Sequence, residues 1–189
     1  MTIKDLITRN RTFRRFYENE RINEGTLREL VDLARRSASA GNLQPLKYVL
    51  SSDPEMNRKI FPNLAWAGYL QDWPGPEEGE RPSAYITILL DTQISKSPNC
   101  DHGIASQSIL LGAAERGLGG CIIGSIKRDE LREALSLDDR YEILLVLALG
   151  RPKEKVVLEE VGPDGSIRYW RDPDGTHHVP KRILNEVII

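Results

Sequence analysis

Asn10-Arg11-Thr12-Phe13-Arg14-Arg15-Phe16 sets Arg11 and Arg14 three residues apart with a hydroxyl between them. Guanidinium donors match the oxygens of a phosphate, often in pairs. The cluster Arg11, Arg14 and Arg15 is therefore a candidate for holding one; a solvated helix end is the other reading of the same residues. A second stretch, Ala38-Ser39-Ala40-Gly41-Asn42-Leu43-Gln44-Pro45, is small and amide-rich and lies between a helix-like and a strand-like segment. Backbone approaches a flat ligand closely only where side chains are small. Asn42 and Gln44 each carry a donor and an acceptor, which suits the edge of a heterocycle. An ordinary loop closing a helix has much the same composition.

Other chemistries find little support. Gly117-Leu118-Gly119-Gly120 lacks the full G-x-G-x-x-G order and follows a helix instead of a strand, which argues against a dinucleotide fold. There is no G-x-S-x-G elbow and no Walker phosphate loop. Asp138-Asp139 and Glu77-Glu78 are adjacent pairs that suit a solvated surface. Cys100 and Cys121 show no paired spacing. His177-His178 cannot share a helix face, and His102 is distant in sequence, so no metal site is expected.

The chain has 189 residues, enough for one domain with a real core. Its net charge of −2 supplies no global field toward nucleic acid or a membrane surface. The longest apolar run, Ile143 to Leu149, is far too short to span a bilayer. Charged residues begin at Lys4, with no apolar signal core. The expectation is a cytoplasmic protein, which makes the acceptor pattern Asn10-Arg11-Thr12 accidental.

These residues need elements to position them. Thr2 to Arg9 reads as a short helix, and Asn23 caps a longer one running to about Ser37, with Leu27, Leu30, Val31 and Ala34 at helical spacing. Strands are expected at Leu46–Ser51, Ala84–Asp91, Gly119–Ile123 and Glu142–Leu149. Further helices are expected at Asp53–Phe61, Asp101–Arg116 and Lys127–Leu135. On the helix from Asp101, Ile104, Ser108, Leu111 and Leu118 form one stripe, while Ala105, Gly112 and Ala113 permit close helix contact. Pro62 to Pro82 is the longest irregular stretch and carries Trp66, Tyr69 and Trp73; such a loop is often functional or mobile, or is pinned by its tryptophans. Asp164-Gly165 and Asp174-Gly175 are turn signals, so residues 162–178 read as a small hairpin or arm. Ile183 to Ile189 reads as an extended tail. The alternation predicts an α/β or α+β domain, a central sheet covered by helices.

The basic segment, the small-residue loop, the run from Asp101 to Gly120, Gly150-Arg151-Pro152 and Val179-Pro180-Lys181-Arg182, in this order, resemble the nitroreductase family of FMN-dependent oxidoreductases. The resemblance runs from about Ile3 to the C-terminus. It implies an α+β fold with a central mixed sheet, formed as an intertwined homodimer. It also implies FMN as cofactor, NADH or NADPH as donor, and a small acceptor such as a nitroaromatic or quinone, reduced in ping-pong fashion. Arg11, Thr12 and Arg14 match positions that contact the FMN. Lys181 and Arg182 match the basic pair near the phosphate, with Arg182 the preferred contact. Ser39, Ala40, Gly41, Asn42 and Gln44 match the loop that wraps the flavin from the neighbouring subunit. Ile122, Ile123, Gly124 and Ser125 match the stretch beside the reactive ring edge, with the Gly124 backbone N–H as candidate donor to N5. No catalytic side chain is implied. The chain departs from the family pattern at Ala38, where proline is usual, and at Gly124, where many relatives are acidic. Residues 62–82 become a candidate active-site loop, with Trp66, Tyr69 and Trp73 lining the acceptor pocket. A flavin-binding redox module fed by a protein partner would keep the FMN residues but turn over little NAD(P)H.

Overall fold

The computed structural model describes Met1–Ile189. Four strands, β1 (Leu46–Ser51), β2 (Ala84–Asp91), β3 (Gly119–Ile123) and β4 (Tyr141–Gly150), form a sheet of order β1-β2-β4-β3. All three pairings are antiparallel. Parallel pairing enters through a bridge from Thr12 to Gly120 at the β3 edge.

Every residue of β2 is buried, so both faces of the sheet are covered. On one face lie α2 (Glu24–Arg35) and α4 (Asp101–Glu115). Leu27 and Leu30 of α2 and Ile109 and Ala113 of α4 pack there against Ile86, Ile88 and Leu147. Gly112 lets the helices meet, since a Cβ there would press on Leu30 and Leu33. Strand alternation turns Tyr85, Val146 and Ala148 to the other face, against Ile60 of α3 (Pro54–Ile60) and Leu131 of α5 (Arg128–Ala134). Capping sets two of the helix starts: Asn23 Oδ1 accepts from Thr26 N–H at 2.8 Å and Asp53 Oδ2 from Met56 N–H at 2.9 Å. A short α1 (Ile3–Arg9) begins with a reciprocal Thr2–Asp5 capping box.

The remaining chain builds a second, three-stranded sheet of order β5-β7-β6, from β5 (Val156–Glu160), β6 (Trp170–Arg171) and β7 (His177–Lys181). β6 and β7 form the expected hairpin. Strand β5, parallel to β7, is not foreseen from sequence, because its Glu159 and Glu160 break the apolar pattern. The tail is not extended throughout: Leu184–Val187 form a short α6. On α4, Ile104 stays exposed; the apolar stripe is not the buried face.

Candidate functional site

The basic segment reaches the sheet through glycines. Phe13 N–H donates to the Gly120 carbonyl at 3.0 Å. A Cβ on Gly120 would stand 2.7 Å from the Ala148 carbonyl oxygen, and one on Gly150 would stand 2.8 Å from the Phe16 ring. A Cβ on Gly119 would meet the Phe13 ring. The glycines that fail as a dinucleotide motif are thus where residues 12–16 lie flat on the strands.

Glu154, buried, fixes this segment from the other side. It accepts from the backbone N–H of Arg14, from that of Arg15 at 3.2 Å and from Arg171 Nη2 at 2.9 Å. Strand β7 runs alongside, and alternation sends His177, Val179 and Lys181 to one face. These three, with Asn10, Arg11, Thr12, Arg14, Gln107, Leu110, Ile122 and Tyr169, line a cavity of about 300 Å³.

The cavity is cationic and no carboxylate lines it. Arg14 is buried, with Nη1 at 3.2 Å from His177 Nε2 and its guanidinium carbon 4.8 Å from the Tyr169 ring centroid. Arg11 Nη2 donates to the Ile7 carbonyl at 2.5 Å. The Nε of each arginine is buried without a partner. Burial holds Arg11 below the ordinary guanidinium value. Arginine can only donate, so His177 Nε2 accepts and Nδ1 carries the hydrogen. Burial, then the charges of Arg14, Arg171 and His178, pull His177 down to about 4, so the ring is neutral near pH 7. Neither Arg11, Arg14 nor Lys181 has a carboxylate within ion-pair distance. Arg11, Arg14 and Lys181 bring cationic donors to one cavity, where phosphate oxygens would supply the acceptors. The residues present fit a phosphate-bearing cofactor.

The basic pair is the other way round from the sequence preference. Lys181 lines the cavity, whereas Arg182, one position out of phase, turns to Glu186 at 3.7 Å. Ile122 lines the cavity and is exposed, while Ile123 belongs to the core. Gly124 and Ser125 are exposed in the turn after β3. The Gly124 carbonyl accepts from Arg128 Nη2 at 3.3 Å and that of Ser125 from Ala65 N–H at 3.0 Å.

The small-residue loop forms a separate feature. Ser39 and Gln44 line another cavity, of about 310 Å³, with Tyr48 and Asp101. Gly41, Asn42 and Gln44 take φ of 57°, 55° and 53°. Ala40, Gly41 and Asn42 are exposed. Within one chain this loop and the cationic cavity do not share a lining residue.

The Nitroreductase family model matches residues 7–76 and 85–151. The chain belongs to the nitroreductase family. It is 28% identical over 149 residues, 75% of this chain and 80% of the relative, to an Archaeoglobus fulgidus protein provisionally named NADH dehydrogenase/NAD(P)H nitroreductase. Among solved structures, a nitroreductase family protein from Streptococcus pneumoniae TIGR4 superposes with a TM-score of 0.69 at 17% identity, covering 86% of this chain and 96% of that one. The NADPH:FMN oxidoreductase of Vibrio harveyi, complexed with NAD+, superposes with a TM-score of 0.62 at 22% identity, over 79% of this chain and 68% of that one.

In this nitroreductase-family chain the loop aromatics act as anchors. Trp66 packs on Phe61 at 5.9 Å, and a Cβ on Gly75 would stand 2.7 Å from its ring. Trp73 lies under the Arg171 guanidinium at 4.3 Å. The Tyr69 ring meets that of Tyr169 at 4.8 Å in a tilted arrangement, and the Tyr69 backbone N–H donates to the Tyr169 hydroxyl at 3.3 Å. None of the three lines the cationic cavity. Tyr69 and Trp73 tie residues 62–82 to the segment at β6, and Trp66 packs within residues 61–75. Sequence reading missed Gln107, Tyr169 and His177. Only for His177 was a signal present: four residues before Lys181, it falls on the same face of a strand.

Proposed function

We propose that this chain is an FMN-dependent oxidoreductase that moves reducing equivalents from NADH or NADPH to a small acceptor such as a nitroaromatic or quinone. Family membership supports the class. The observation that carries the cofactor is the gathering of Arg11, Arg14 and Lys181 around one cavity whose lining holds no carboxylate. Bound FMN supplies a ring that accepts a hydride and passes electrons on.

The chain's own residues bind and orient. Arg11, Arg14 and Lys181 hold the phosphate, with Thr12 offering a hydroxyl. Ile122 would give an apolar surface beside the cavity, and the Gly124 backbone N–H would be the candidate donor to the ring's N5. Neutral His177 accepts from Arg14 and leaves its positive charge uncompensated. The Ser39–Gln44 loop serves the site of a neighbouring subunit. The active unit is then a homodimer, a reading supported by the exposed Ile183, Leu184, Val187, Ile188 and Ile189. No helix is long and apolar enough to cross a membrane.

Donor and acceptor occupy the same open side of the site in turn. Steady-state oxidation of NADH and of NADPH with a quinone or nitroaromatic tests this: parallel double-reciprocal lines are expected. Intersecting lines overturn the ping-pong order, and absent turnover with FMN bound favours the redox module fed by a protein partner.

A further inference from the structure

We propose that Asp101 is a positioning residue that holds the Ser39–Gln44 loop in its flavin-ready shape. The inference rests on reading that loop as cofactor-facing. Asp101 opens α4 and is only 4% exposed. An acidic residue at a helix start favours the helix through the macrodipole, and would do so from an exposed position. Here both carboxylate oxygens are spent on the loop instead. Oδ2 accepts from the Ser39 hydroxyl at 2.6 Å and Oδ1 from the Ala40 N–H at 2.9 Å. Having donated its proton to Asp101, Ser39 Oγ accepts from the Gln44 N–H at 2.9 Å. One buried carboxylate therefore ties down the entry of the loop directly and its exit through Ser39.

Between those ties the chain carries the strain. Gly41 takes φ 57° without penalty, but Asn42 at 55° and Gln44 at 53° hold side chains in the left-handed region. Such conformations persist where surrounding contacts over-determine them. Gln44 Nε2 reaches the Asn42 carbonyl and Oδ1, both at 3.2 Å, so the amide surface is itself cross-linked. Asn42 and Gln44 stay exposed, available to a flat polar partner. The loop is shaped before anything binds, and the ordering cost of binding is reduced accordingly.

The test compares wild type, Asp101→Ala, Asp101→Asn and Ser39→Ala. FMN affinity is read by fluorescence quenching, bound-flavin environment by visible circular dichroism, and loop order by amide exchange in the flavin-free protein. Asp101→Ala should weaken FMN roughly tenfold to hundredfold, the loss of a charge-assisted hydrogen bond. It should also alter the flavin dichroism and deprotect the Ala40 and Gln44 amides. Asp101→Asn keeps an acceptor for Ala40 N–H and should recover much of the affinity. A folded Asp101→Ala protein with lowered Tm but unchanged FMN affinity and dichroism overturns the proposal and leaves Asp101 a helix-stabilising residue. Should Asp101→Ala not fold, Ser39→Ala cuts only the exit tie; unchanged affinity and Gln44 protection there overturn it equally. Wild type that binds no FMN removes the functional reading itself, and this inference with it.

Discussion

Arg14 and His177, 163 residues apart in sequence, meet at 3.2 Å inside the cationic cavity. The contact joins the N-terminal basic segment to the C-terminal arm, and it requires a neutral imidazole. Its neighbour His178 lives under opposite rules: Glu159 and then Asp172 raise it, while its ring stacks on Trp170 at 4.0 Å.

The two histidines should therefore titrate on opposite sides of the ordinary value of 6.5, which NMR of the imidazole protons can resolve. The signs for stability follow. The unfolded chain protonates His177 near 6.5 and the folded chain only near 4, so this group costs stability as pH falls through that window. The contribution of His178 is fully present below 6.5 and is lost as pH rises through its raised folded value. His177→Gln should flatten the acid-side decline in Tm. Superimposed titrations of the two rings would refute the assignment.

Arg11→Ala and Arg14→Ala should each weaken FMN binding by about 1.5–3 kcal/mol, the range for a hydrogen bond to a charged group. Fluorescence titration measures it. Arg182→Ala should leave affinity nearly unchanged, because that side chain faces Glu186. Equal losses for Arg182 and Arg11 would reverse the placement.

How much of this was readable beforehand differs by level. Strands β1, β2 and β3 fall at the residues expected, since apolar, β-branched runs bounded by turn residues state their own limits. β5 was hidden by Glu159 and Glu160, whose charges an edge strand tolerates. The cationic cluster at Arg11 and Arg14 was legible from type and spacing, and both residues line one cavity. That Lys181 lines it while Arg182 turns to Glu186 was not, because it depends on the phase of β7, which tertiary pairing sets. The packing of Trp66 on Gly75 and of Trp73 under Arg171 was not legible for a related reason: aromatics in a loop look alike in sequence whatever they face.

Gly120→Ala should destabilise the protein by about 1–3 kcal/mol, the usual cost of overpacking, since the added carbon meets the backbone oxygen of Ala148. Gly124→Ala is the control. Its Cβ would meet Leu145 at 3.7 Å, an ordinary contact, so a change within about 0.5 kcal/mol is expected. Urea unfolding of the two variants compares them, and equal midpoints would contradict the close-approach account.

Glu154→Ala should cost about 3–5 kcal/mol, as for breaking a buried ion pair, because Arg171 and the backbone donors of Arg14 and Arg15 lose their acceptor together. FMN affinity should fall with it, in folded protein at low temperature. Retained affinity would separate Glu154 from the cavity.

The central claim is most directly met by the absorption spectrum of purified protein with added FMN, followed under anaerobic conditions by NADH and then NADPH. The account predicts protein-bound flavin bands that bleach on adding one of these donors. Bound flavin that stays oxidised with both contradicts the nicotinamide-dependent activity, and flavin that passes through gel filtration unbound contradicts the cofactor site itself.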